Sequence, residues 1–204
     1  MSSPELSLPG YRAYEYLLIL TPPEDLLNKI MVVKKEFSQK YKTEVAHKSK
    51  PHITLVSFVN LGINEERIVN KIESITQGLA PFKVELRDFG SFPSHTIYLN
   101  VVTKLPIKAV VQSLKEAQGL MKLNKENKPH FIDEPHITIC RKLKPWQYES
   151  GWLEYSNTPF TGRFIADSML LIKRDVDGGK YYPVREFVFK SMPVIATTQG
   201  DLFC

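Results

Sequence analysis

Two short segments hold the residues best suited to chemistry. Pro51-His52-Ile53-Thr54 recurs as Pro135-His136-Ile137-Thr138, at an offset of 84 residues in a chain of 204. With 5 His and 11 Thr in the sequence, about 0.3 His-x-Thr tripeptides are expected by chance, and two are present. Each lies in an apolar run that reads as a β-strand. Side chains at i and i+2 of a strand share a face, with Cα atoms about 6.5–7 Å apart. His52 and Thr54 therefore point one way, as do His136 and Thr138, while Ile53 and Ile137 point into the core. If the two segments face one groove, two imidazoles and two hydroxyls surround one bound group. A neutral imidazole can take a proton from water or a hydroxyl. A protonated one can donate to a leaving oxygen, and both forms are accessible near neutral pH. The hydroxyls can donate to phosphate oxygens. This chemistry requires no metal.

The elements that must hold these residues alternate along the chain. Tyr14 to Leu20 reads as a buried strand. A helix opened by Pro22 and Pro23 runs to about Tyr41, with Leu26, Leu27, Ile30, Val33 and Phe37 on one face. The strand Pro51 to Val59 carries the first motif. A helix from about Asn64 to Gln77 comes next, with Asn64 as its expected N-cap. Phe82 to Phe89 and Thr96 to Val102 read as a hairpin, and Ile107 to Leu123 as a helix. Pro135 to Arg141 carries the second motif, and Pro145 to Tyr155 reads as a helix bearing Trp146 and Trp152. Ser168 to Lys173 and Tyr182 to Phe189 close a last hairpin around Asp175 to Gly179. The order is β-α-β-α-β, then β-α-β-α-β-β. This predicts an α+β, bilobal fold: two pseudo-symmetric lobes with antiparallel sheets around a central cleft. Residues 1–190 are expected to form one domain, with halves of roughly 1–90 and 91–190. Residues 191–204 are expected to be a polar, frayed tail.

Composition agrees with such a fold. The chain is 43% hydrophobic and 24% charged, which is near the globular average and excludes disorder for most of it. Cys140 and Cys204 are too few for a disulfide framework or a four-cysteine zinc cage. No leader pattern or apolar span of about 20 residues is visible, so a soluble, cytoplasmic monomer without a cofactor is expected. The net charge of +5 permits an anionic partner. Its distribution is more informative, because Lys48, Lys50, Arg141, Lys142 and Lys144 flank the two motifs and could line a polynucleotide backbone. Tyr181, Tyr182 and Trp146 could stack on a base.

The paired motifs resemble those of the 2H phosphoesterase superfamily, particularly its 2′-5′ RNA ligase and cyclic phosphodiesterase branch. The segment Gly178-Gly179-Lys180-Tyr181-Tyr182 with Phe187 is similar to the C-terminal hairpin of bacterial members. The resemblance implies a metal-independent reaction at 2′,3′-cyclic phosphate or 2′-5′ phosphodiester bonds. It implies His52 and His136 as catalytic residues, and an RNA end or nucleotide as partner. Thr54 and Thr138 would bind the phosphate, with Arg141, five positions after the second histidine, as a further substrate contact. Tyr182 is an expected substrate contact. Strict strand parity points Cys140, not Arg141, to the His136 face, so Arg141 reaches the cleft only if the strand ends or bulges there. Two other functions remain open: a non-catalytic module that holds an RNA end or nucleotide, and a phosphoesterase for a small non-RNA cyclic phosphate. His130, Asp133, Glu134 and His136 lie close in sequence but do not have a metal-ligand spacing. His47 and His95 read as surface or turn residues.

Overall fold

The structure is a computed structural model that describes residues 11–43 and 49–192. His47, Lys48, Cys204 and most of the expected tail lie outside the described residues. The strands are β1 (Ala13–Leu20), β2 (Ile53–Leu61), β3 (Phe82–Phe92), β4 (Thr96–Val101), β5 (His130–Phe131), β6 (His136–Arg141), β7 (Thr161–Ala166), β8 (Ser168–Asp175) and β9 (Gly178–Val188). The helices are α1 (Glu24–Lys40), α2 (Glu65–Gln77), α3 (Lys104–Leu114), the single turn α4 (Gln118–Met121) and α5 (Pro145–Tyr155). Every strand pairing among the described residues is antiparallel. The strands form one sheet in the order β7-β3-β4-β6-β2-β1-β8-β9, with β5 beside β2.

The two halves of the sheet meet at its centre, where β2 and β6 bridge through one pair, Ile53 opposite Ile137. On one side lie β2, β1, β8 and β9; on the other lie β6, β4, β3 and β7. Each half therefore draws on both parts of the chain. β3 joins β4 and β6, while β8 and β9 extend the half begun by β1 and β2. The helices also cross over: α1 packs on β6 and β7, and α3 on β2. They cover one face of the sheet, where Leu18, Leu20, Ile53, Leu55, Ile137 and Ile139 join Ile30 and Phe37 of α1 in a single core. Because α1 and α3 each cross to the other half, opening the cleft by separating the halves would expose this core.

Several local features differ from the sequence pattern. Thr161–Ala166 is not apparent as a strand from its residues, because it lies at the sheet edge and buries only Phe164 and Ala166. Gly162 fits there because a Cβ would come within 2.7 Å of Leu26. Asn64 occupies the N-cap position of α2 as expected but makes no side-chain capping bond, since a 3-10 turn over Gly62–Asn64 precedes the helix and Asn64 Nδ2 donates to Asn60 Oδ1 at 2.8 Å. The helix after β4 starts earlier than expected, at Lys104, with Pro106 in the first turn, where its missing N–H breaks no helical hydrogen bond. Ser191 and Met192, the first residues of the expected tail, donate backbone hydrogen bonds to Leu79 and Gln77. No helix among the described residues is long and apolar enough to cross a membrane.

Candidate active site

The central pairing fixes the arrangement of both motifs. With Ile53 opposite Ile137 in an antiparallel pair, one step of register either way sets His52 opposite Thr138 and Thr54 opposite His136. All four point away from the helices, because Ile53 and Ile137 are fully buried on the helix face. In a regular ladder, diagonal neighbours such as His52 and His136 stand about 7–8 Å apart, which leaves room for a phosphoryl group between the rings.

Both rings are held in the same way. His52 Nδ1–H donates to the Lys50 carbonyl at 2.8 Å, and His136 Nδ1–H donates to the Glu134 carbonyl at 2.8 Å. Each bond runs to the residue two positions earlier. It fixes the tautomer and leaves Nε2 as the nitrogen that can take or give a proton.

A β-bulge lies after each motif at the same offset of 84 residues. Leu55 has no partner in β1, because Ile19 pairs with Thr54 and Leu18 with Val56. Ile139 likewise has none in β4, because Tyr98 pairs with Thr138 and Ile97 with Cys140. The extra residue reverses the parity of the rest of the strand. Arg141 then pairs with Thr96, on the His136 face, and Ser57 takes the equivalent place in β2. Counting by strict alternation sends Arg141 to the wrong side; the bulge returns it to the cleft. Cys140 consequently lies on the helix face, buried, and burial pushes its thiol up.

Burial lowers the proton affinity of both histidines, but the charges around them differ. His52 also feels Lys34, Arg141 and His136, all of which push it further down. His136 has the Glu134 carboxylate, which pulls it back up and is itself paired with Lys104. The ring of His136 packs edge-on to Phe92 at 5.0 Å and against Tyr98 at 4.9 Å. Gly90 stands opposite Tyr98 in the β3–β4 pairing and leaves room for its ring. A Cβ at Gly90 would come within 2.5 Å of the Tyr98 ring and would collide with Asn100 Oδ1.

The register also separates the two adjacent tyrosines. Lys173 pairs with Tyr16 on one side and Tyr182 on the other. Tyr16 shares the helix face with Phe58, at a ring separation of 5.0 Å. Tyr182 thus sits on the face opposite Thr54, with the Lys173 ammonium 5.6 Å from its ring. The expectation that Tyr182 contacts substrate is corrected by this parity. Tyr181 is on the cleft face instead, beneath the Arg174 guanidinium at 4.7 Å. Arg174 pairs with Glu15 at 2.5 Å, and Tyr181 senses Arg141. Sequence spacing could not choose between the two tyrosines, because irregular pairing within the β8–β9 hairpin shifts the register there.

Other expected residues lie around the rim. Lys50, Lys142 and Lys144 are exposed, Trp146 is half exposed at the start of α5, and His95 occupies the β3–β4 turn. His130 is on β5, opposite Ser57. Sequence reasoning missed Lys34, which is 1% exposed. The signal is its helical spacing: Lys34 falls on the buried stripe of α1 with Leu26, Ile30 and Phe37, whereas Lys29, Lys35 and Lys40 lie off it and are exposed.

Residues 22–178 match the family model of the 2′-5′ RNA ligase superfamily. The chain belongs to that superfamily. Its fold is shared with solved members of the 2H phosphoesterases. The apo crystal structure of Escherichia coli LigT superposes with a TM-score of 0.65 at 17% identity, covering 87% of this chain and 98% of that one. TT0787 of Thermus thermophilus gives a TM-score of 0.60 at 15% identity, covering 86% of this chain and 98% of that one. LigT complexed with 3′-AMP gives a TM-score of 0.60 at 15% identity, with 87% and 98% covered. No curated protein matches the sequence. In this member of the superfamily both Pro-His-Ile-Thr segments lie at the sheet centre.

Proposed function

We propose that this protein is a metal-independent 2H-type phosphoesterase acting on 2′,3′-cyclic phosphate or 2′-5′ phosphodiester bonds by two-histidine acid–base catalysis. One observation carries the reading. Both imidazoles have Nδ1 tied to a backbone carbonyl, which leaves two Nε2 atoms to face one cleft, each across from the other motif's threonine. Nucleotide-like ligands in LigT structures, such as 3′-AMP and ATP, support a nucleotide or RNA end as the substrate class.

The asymmetry of charge assigns the roles. His52, beside Lys34 and Arg141, is the ring more readily kept neutral, and so serves as base in the hydrolytic direction. His136, beside Glu134, is the ring more readily protonated, and so serves as acid. Water attacks phosphorus as its proton passes to His52 Nε2. The bond from phosphorus to the ribose oxygen breaks, and that oxygen takes the proton from His136 Nε2. Ligation runs the same steps with a second ribose hydroxyl in place of water, and cleavage of the resulting 2′-5′ bond back to the cyclic phosphate runs them in reverse, with the two histidines exchanging roles. The Thr54 and Thr138 hydroxyls and the Arg141 guanidinium supply donors where phosphoryl charge develops.

The test is turnover of 2′,3′-cyclic nucleotides and 2′-5′-linked dinucleotides by the purified chain in EDTA. Product formation supports the reading. Saturable binding with no product supports a non-catalytic module, and activity confined to small cyclic phosphates supports a metabolite phosphoesterase. Loss of all turnover in EDTA would contradict the metal-free mechanism.

A further inference from the structure

Lys34 is buried at 1% exposure in the middle of α1, a position where an ammonium ion is costly. Its Nζ donates to the Ser49 carbonyl at 2.8 Å and to Ser49 Oγ at 3.1 Å. Ser49 begins the short run that leads through Lys50 and Pro51 to His52, and the Lys50 carbonyl is the acceptor that fixes the His52 ring. This run flanks the point where β2 and β6 part, since they bridge only at Ile53 and Ile137. Lys34 thus ties α1 to the segment that orients His52, where the sheet supplies no further ladder bond from β6.

We propose that Lys34 is a positioning residue for His52: its buried ammonium anchors the 49–52 lead-in through Ser49 and keeps a fixed positive charge next to the imidazole. The role deepens the acid–base reading and rests on it for its catalytic meaning. The charges acting on His52 come from three places: Lys34 on α1, and Arg141 and His136 on β6. Arg141 is exposed and can be drawn toward bound phosphate, whereas Lys34 is held by Ser49. Lys34 therefore supplies the constant part of the field that keeps His52 neutral and ready to accept a proton. Burial, with Arg141 adding to it, brings Lys34 itself down to about 8, so at neutral pH the ammonium is still mostly charged.

The test is an NMR titration of the ring nitrogens in ¹⁵N-histidine-labelled protein, with His52 assigned through His52→Gln. In Lys34→Met the His52 midpoint is expected to move up and the His136 midpoint to stay in place. In Lys34→Arg, which keeps the charge, His52 is expected to stay near its wild-type midpoint. The wild-type protein gives a second measurement that needs no variant to fold: His52 ring shifts should show a further inflection near pH 8 as Lys34 loses its proton. His136 should show none. An unchanged His52 midpoint in folded Lys34→Met overturns the proposal. If that variant does not fold, absence of the inflection in wild type overturns it. The titration needs no turnover, so its failure is distinct from failure of the enzymatic reading. In an active protein, a pure folding role for Lys34 would leave the acidic limb of kcat/KM where it is in Lys34→Met; the positioning role moves that limb to higher pH.

Discussion

Ile53 stands opposite Ile137, and this one antiparallel pair joins the two halves of the sheet. Both side chains are fully buried. Turned to the other face, their neighbours form a crossed set: His52 across from Thr138, and His136 across from Thr54. A shift of one residue in this register would turn either motif's histidine and threonine into the core. Enlarging or shortening the isoleucines therefore threatens the site before it threatens the fold. Ile137→Ala is expected to cost about 2–5 kcal/mol of stability in urea unfolding. It should also reduce kcat/KM more than an equally destabilising Ile30→Ala in α1.

The histidine environments set the pH profile. Both groups lie below the ordinary imidazole value, chiefly through burial. The kcat/KM profile is expected to be a bell centred on the acidic side of the ordinary imidazole value. The acidic limb reports His52 losing its proton, and the basic limb reports His136 losing its own. Glu134 raises His136, so Glu134→Gln should move the basic limb to lower pH and leave the acidic limb in place. A profile unchanged by that substitution would remove His136 as the acid.

The threonine hydroxyls should act on the transition state. Thr138→Val keeps the shape of the side chain and removes the donor. A hydrogen bond to a charged group contributes about 1.5–3 kcal/mol, which corresponds to a loss of roughly 10–100-fold in kcat/KM. The fall should appear mainly in kcat, measured by steady-state kinetics on a 2′,3′-cyclic nucleotide. Thr54→Val should behave alike, because the motifs are arranged symmetrically.

The two hairpin tyrosines give a contrast. Tyr181 faces the cleft beneath Arg174, while Tyr182 is on the other side with Lys173. Tyr181→Ala is expected to weaken nucleotide binding by roughly 5–100-fold, as loss of a stacking platform of about 1–3 kcal/mol predicts. Tyr182→Ala should leave the affinity unchanged. Isothermal titration with 3′-AMP distinguishes them, and equal effects would contradict the assignment of faces.

Lys34 should leave a mark on stability. Its folded value of about 8 lies below its ordinary 10.5, so between these values the unfolded chain binds the extra proton and stability rises with pH. Above about pH 10 the buried tyrosines, held protonated in the fold, reverse this trend. The Cys140 thiol, held protonated by burial, opposes this rise in the same window, so the effect is read against Lys34→Met: in urea unfolding the wild type is expected to gain about 2 kcal/mol relative to that variant from about pH 8 to 10.

Much of this arrangement is legible in the sequence. The repeated motif, its period-two spacing and the apolar isoleucines between its polar residues specify two strands and the faces they present. Pro145 to Tyr155 is legible as a helix because Pro145 opens it and Gln147 accepts from the Lys144 N–H at 2.9 Å. The pattern conveys nothing that breaks alternation. The bulges at Leu55 and Ile139 decide where Arg141 points, and a bulge has no distinct composition here. Shifted pairing in the last hairpin separates Tyr181 from Tyr182 in the same way. β7 leaves little trace because an edge strand buries too little to alternate clearly. Lys34 stands at helical spacing between Ile30 and Phe37 on the buried face of α1, but its partner Ser49, a tertiary contact 15 residues away, leaves no trace.

The most direct test measures kcat/KM on a 2′,3′-cyclic nucleotide in EDTA for the wild type, His52→Ala and His136→Ala, with circular dichroism to confirm folding. General acid–base catalysis by two histidines predicts turnover by the wild type without metal. It predicts a loss of about 10²–10⁴-fold in each variant, with the double variant falling well short of the product of the two losses. Wild-type activity in either folded alanine variant would contradict the account.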